Sequence, residues 1–142
     1  MNLIDVNVLV YAHREESDRH AEYRKWLEAE MGDPAGFGMV ELVLSGFLRI
    51  VTHPRIFSPP TPLARALEFV RTLRDHPNCR VITPGSRHWA IFMDLCEKTE
   101  CKGNLIPDAY LGALAIEQGC DWITTDRGFA RFPRLKWRHP VL

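Results

Sequence analysis

The chain has no Cys-x-x-Cys pair and no closely spaced histidines, so it carries no zinc-binding pattern. Its four cysteines, Cys79, Cys96, Cys101 and Cys120, are scattered, which predicts free thiols in a reducing compartment. No apolar run approaches the ~18 residues of a membrane helix. The opening MNLIDVN lacks the basic start and long apolar stretch of a signal peptide. The expectation is a cytoplasmic protein with no membrane contact. A Gly-rich phosphate loop is also missing, which argues against P-loop nucleotide hydrolysis. Repeats and low-complexity tracts are absent. Excess charge is absent too, since 18 Lys and Arg balance 18 Asp and Glu.

What is present is a composition 46% hydrophobic and 25% charged over 142 residues, enough to bury a real core as one domain. The zero net charge hides an asymmetry. Arg127, Arg131, Arg134, Lys136 and Arg138 fall in the last 16 residues, which contain no acid. An acidic body with a basic end is compatible with a metal cleft beside a nucleic-acid contact. On charge alone the plainer reading, an ordinary solvated terminus, is the favoured one.

Residues 2–6 read as a short buried strand. Residues 18–31 read as a helix ended by Gly32, Asp33 and Pro34. A strand at 35–39 delivers Glu41 to the first turn of a helix with Leu42, Leu44, Phe47, Leu48 and Val51 inward, stopped by Pro54. The stiff HPRIFSPPTP connector leads to a helix over 62–75, with Leu63, Ala66, Leu67, Val70 and Leu73 on its apolar face. Residues 79–82 are a strand, and Ser86 is positioned to cap a helix reaching about residue 98. Pro107 suits a first helical turn and Gly119 a helix end. Residues 121–124 form a strand, and 135–137 a short edge strand. Strands alternating with helices predict an α/β fold, a three-layer α/β/α sandwich around a mostly parallel sheet of four or five strands.

Four carboxylates fall where these elements begin or end: Asp5, Glu41, Asp108 and Asp126. Each has an ordinary reading as a cap, a turn residue or a dipole-compensating charge. Together they point to one cleft, because parallel strand ends and facing helix starts meet at one edge of the sheet. Asp5 is a polar island in LIDVNVLV, and burying an ionised carboxylate there costs several kcal/mol unless it is paired or metal-bound. Asn7 can hold the turn or orient Asp5. Thr124 can donate a hydrogen bond to a ligand carboxylate or a phosphate. Carboxylates crowded together repel unless a divalent cation joins them, and such a site can activate water for attack on phosphorus. The six site candidates are therefore Asp5, Asn7, Glu41, Asp108, Thr124 and Asp126, with the four acids as metal ligands.

These segments resemble the PIN-domain family, and within it the VapC-type toxins of toxin–antitoxin pairs. The resemblance rests on LIDVNVLVYA for Asp5 and Asn7, on the helix-opening Glu41, on NLIPDAYLGALA for Asn104 and Asp108, and on TTDRGF for Thr124, Asp126 and Phe129. It covers essentially the whole chain as one PIN-like ribonuclease domain over 1–142. It implies an Mg²⁺- or Mn²⁺-dependent endoribonuclease acting on RNA, with transfer or ribosomal RNA as target. It also implies a tendency to homodimerise and silencing by a small antitoxin whose tail enters the groove. Some PIN domains carry a further acid two residues after the fourth, where this chain has Gly128. The competing readings are a non-catalytic RNA- or protein-binding module of the same fold and a receiver-like phosphotransfer protein, the latter lacking a well-placed lysine.

Overall fold

A computed structural model describes residues 1–142. The strands are β1 (Asn2–Ile4), β2 (Phe37–Met39), β3 (Cys79–Val81), β4 (Asp121–Ile123) and β5 (Trp137–Arg138). They form one sheet in the order β3-β2-β1-β4-β5, and every neighbouring pair is parallel. The helices are α1 (Val6–His13), α2 (His20–Gly32), α3 (Glu41–Val51), α4 (Leu63–Arg74), α5 (His88–Thr99) and α6 (Leu105–Gln118). A 3₁₀ turn spans Arg127–Arg131. The helices form two groups. α1 packs on α2 and α3, and α3 on α4, whereas α5 and α6 pack on each other. The expected α/β sandwich with a parallel sheet is the observed architecture.

The sheet runs outward from β1 through β2 to β3, then resumes at β4 on the other side of β1. The connections change direction between β1 and β4, and that is where parallel α/β sheets leave a crevice beyond the strand ends. Leu3, Phe37, Trp122 and Ile123 are completely buried in the sheet. Gly38 is required by close packing. A Cβ there would collide with the Leu3 side chain and press on Ile82.

Four local readings differ from the structure. The first strand ends at Ile4 rather than at residue 6, and Val6–His13, a stretch to which the sequence pattern assigns almost no element, forms α1. Asp5 accepts a hydrogen bond from Val6 N at 2.7 Å and caps the helix, while Val8, Leu9, Val10 and Ala12 are buried. Tertiary packing and a cap thus override the preference of β-branched residues for strands. Ser86 does not cap α5; the N-cap is Arg87. The nearby backbone donors of Gly85 and Arg87 are satisfied by the Glu117 carboxylate at 2.7 and 3.0 Å. Leu42 and Leu63 are 55% and 61% exposed, and Val43 takes the inward position on α3. The edge strand begins at Trp137 rather than Leu135, whose side chain is buried. Gly119 ends α6 at φ 65°, a left-handed conformation that glycine adopts without steric cost.

Candidate functional site

The centre of the site is a hydrogen-bonded link between the ends of β1 and β4. Asp5 N continues the sheet ladder by donating to Ile123 O at 2.9 Å. Its side chain is buried. Thr124, fully buried one residue beyond β4, donates its hydroxyl to Asp5 Oδ2 at 2.7 Å. The same Thr124 oxygen accepts from Asp126 N at 3.0 Å. Asn7 joins the two segments, with Nδ2 3.2 Å from both Asp5 Oδ2 and Thr124 Oγ1, and Oδ1 accepting from Thr125 N at 3.1 Å. Asp126 accepts from Gly128 N at 2.8 Å and caps the 3₁₀ turn. Residues 5–7 and 124–126 therefore fix each other.

Burial pushes the Asp5 carboxyl up to about 6, and the charges of Asp108 and Asp126 push the same way. The bonds from Thr124 and Val6 oppose that rise. Asp108 lies in the first turn of α6 and is half-buried. Its carboxyl is also raised, first by burial and then by Asp126, while Arg131 pulls it down. Three of the four acids thus lie within electrostatic reach of one another.

Glu41 is in a different environment. It opens α3 as expected, but it is exposed, and it is paired with the Arg74 guanidinium at 3.0 and 3.1 Å. No three His, Cys, Asp or Glu side chains are gathered tightly enough to enclose an ion. The donor set at the site is nevertheless all oxygen and carries like charge, which suits a hard divalent cation such as Mg²⁺ or Mn²⁺.

The basic end divides into two sets. Arg134 pairs with Asp94 at 3.2 Å, and Arg138 with Asp121 at 3.4 Å. Arg127, Arg131 and Lys136 are exposed and have no carboxylate partner. The Arg74 contact to Glu41 and the position of Arg131 were not legible in the sequence. Arg131 has one local signal, its spacing of three residues from Gly128 on one short turn.

A cleft of about 420 Å³ lies between α2 and α4, with Ala12, Leu27, Met31 and Phe69 among its lining and charged residues around them. No residue of α3 lines it.

A PIN-domain family model matches residues 3–135. Ribonuclease VapC43 of Mycobacterium tuberculosis is 45% identical over 141 residues, covering 99% of this chain and 96% of the relative. Ribonuclease VapC25 of the same organism is 40% identical over the full length of both chains. Among solved structures, VapBC2 from Rickettsia felis bound to a promoter DNA fragment superposes with a TM-score of 0.71 at 17% identity, covering 97% of each chain. The chain belongs to the PIN-domain family, as a VapC-type ribonuclease toxin of a toxin–antitoxin system.

Proposed function

We propose that this chain is a metal-dependent endoribonuclease that hydrolyses RNA phosphodiester bonds, with transfer or ribosomal RNA as its target. The observation that carries the reading is the convergence of Asp5, Asp108 and Asp126 in one electrostatic neighbourhood at the β1–β4 switch point. A fold gains nothing in stability from raising two carboxyls against each other, whereas a cation site needs that arrangement.

In this reading Asp5, Asp108 and Asp126 hold Mg²⁺ or Mn²⁺, and Glu41 completes the set once its surface pair with Arg74 opens. A divalent ion bound there supplies an acidified water and neutralises charge on the phosphate. Thr124 and Asn7 fix the Asp5 carboxylate, as partners behind a ligand do. Arg127 and Lys136 attract the RNA backbone, an attraction that weakens as salt rises. The test is cleavage of total RNA by the purified chain with and without Mg²⁺, with product ends mapped by sequencing. Cleavage that is indifferent to Mg²⁺ and EDTA overturns the reading.

A small antitoxin is the partner in the same reading, and the protein is a homodimer of two chains, each a single PIN-like domain over 1–142. The α2–α4 cleft offers an apolar floor of a size suited to side chains of a docked helix. An Arg or Lys from the antitoxin tail then competes with metal for the aspartates. Trp89 and Met93, exposed one turn apart on α5, support self-association. Deleting the C-terminal half of the antitoxin is expected to abolish inhibition, and sedimentation of the free chain reads its oligomeric state.

A further inference from the structure

Arg131 folds back over the 3₁₀ turn. Its Nε donates to Gly128 O at 2.7 Å. A Cβ placed on Gly128 would lie 2.9 Å from Asp126 Oδ1 and 3.1 Å from an Arg131 guanidinium nitrogen. Guanidinium and carboxylate therefore face each other across a space that glycine leaves open. The anchor of Arg131 is a neutral carbonyl and not a carboxylate, so its charge is not consumed by an ion pair. Of the five N–H donors of a guanidinium, four are left for other partners.

We infer that Arg131 is a built-in counter-ion of the aspartate site, occupying the place of a second cation, so that the site takes one divalent ion and not two. The inference rests on the metal reading above. Three ionised aspartates invite more positive charge than one Mg²⁺ or Mn²⁺ carries. A guanidinium held beside Asp126 supplies part of it, and it repels a further divalent ion on that side. Gly128 makes the arrangement possible, because any side chain there would press on both groups.

The experiment is calorimetric titration of the purified, RNA-free full chain with Mn²⁺, comparing wild type with Arg131→Gln, Arg131→Lys and Gly128→Ala. Thermal unfolding in EDTA confirms that each variant is folded; Arg131 is exposed, so no core packing is lost. The wild type is expected to bind one ion. Arg131→Gln is expected to bind it about tenfold tighter, as removal of a nearby positive charge requires, and to gain a second, weaker ion. Arg131→Lys retains the charge and the single ion. Gly128→Ala presses on the Asp126 carboxylate at 2.9 Å as well as on the guanidinium, so it is expected to weaken the first ion, because it disturbs a ligand and not the counter-ion alone. Two ions in the wild type, or Arg131→Gln with unchanged affinity and one ion, overturns the inference and leaves the metal reading standing. No Mn²⁺ binding by any of the four proteins overturns the metal reading and the inference with it.

Discussion

Asp5 and Glu41 occupy equivalent places in the chain, each where a strand gives way to a helix, yet they have opposite surroundings. Asp5 is buried, caps α1 and is held by Thr124 and Asn7. Glu41 is exposed and tied to Arg74 by a surface ion pair. The difference follows from position in the sheet. β1 is central, with β2 and β4 on its flanks, so its end is walled in. Glu41 follows β2, and its nearest cation comes from the end of α4. One carboxylate is preorganised at a cost in stability, whereas the other is held by an interaction worth about 0–1 kcal/mol and is free to move. The site combines a rigid half with a movable ligand candidate.

The largest expected effect that tests this contrast is on cleavage. Asp5→Asn is expected to lower Mg²⁺-dependent RNA cleavage by at least ~100-fold, beyond the 10–100-fold typical of a residue that only supports a ligand. In EDTA at pH 7.5 the same variant is expected to melt on the order of 5 °C higher, because a buried charge and its repulsion are removed. Glu41→Gln is expected to reduce cleavage without changing the melting temperature in EDTA. Equal stabilisation by both substitutions would erase the distinction between the two halves.

Metal-free stability is expected to depend on pH with a definite sign. The folded Asp5 carboxyl titrates near 6 against an ordinary 3.8. Between those values the native state holds the extra proton, so stability falls as pH rises from about 4 to 6 and the loss is complete above that range. The shift corresponds to about 3 kcal/mol, and Asp108 contributes in the same direction. Denaturant unfolding in EDTA across this range measures it, and Asp5→Asn should flatten most of the slope.

Thr124→Val is expected to cost about 2 kcal/mol, since Asp126 N and Asn7 Nδ2 lose an acceptor and Asp5 a donor in a buried place. Chemical denaturation checks the magnitude. The smallest effect is expected from Arg74→Ala, within about 0.5 kcal/mol in stability. By releasing Glu41 it should tighten Mn²⁺ binding by no more than about fivefold, read by calorimetry. Weaker metal binding in that variant would show that the Arg74 pair supports Glu41 rather than restraining it.

The order of strands and helices was legible in the sequence because alternating apolar segments, Pro54, Pro107 and Gly119 mark their limits. The polar-island argument pointed to Asp5, and Asn7, two residues on, was expected to orient it; Thr124 was expected only to bond some carboxylate or a phosphate, and the structure gives Asp5 as that partner. α1 was not legible, because VNVLV has strand composition and only the Asp5 cap and burial on the helix face decide otherwise. Nor was the environment of Glu41, which depends on Arg74, 33 residues away on another helix. Local pattern announces an element and its ends; it does not announce which side chain arrives from elsewhere.

The bond from Thr124 to Asp5 spans 119 positions of chain. During synthesis at about 5–20 residues per second, the first half of the site therefore waits roughly 6–24 s for its second half to be made. Until then Asp5 has no threonine hydroxyl to orient it, and Asp126 does not yet exist. The link that fixes the Asp5 carboxylate therefore closes only after Thr124 has left the ribosome, and until then that carboxylate is free of the partners that bury it.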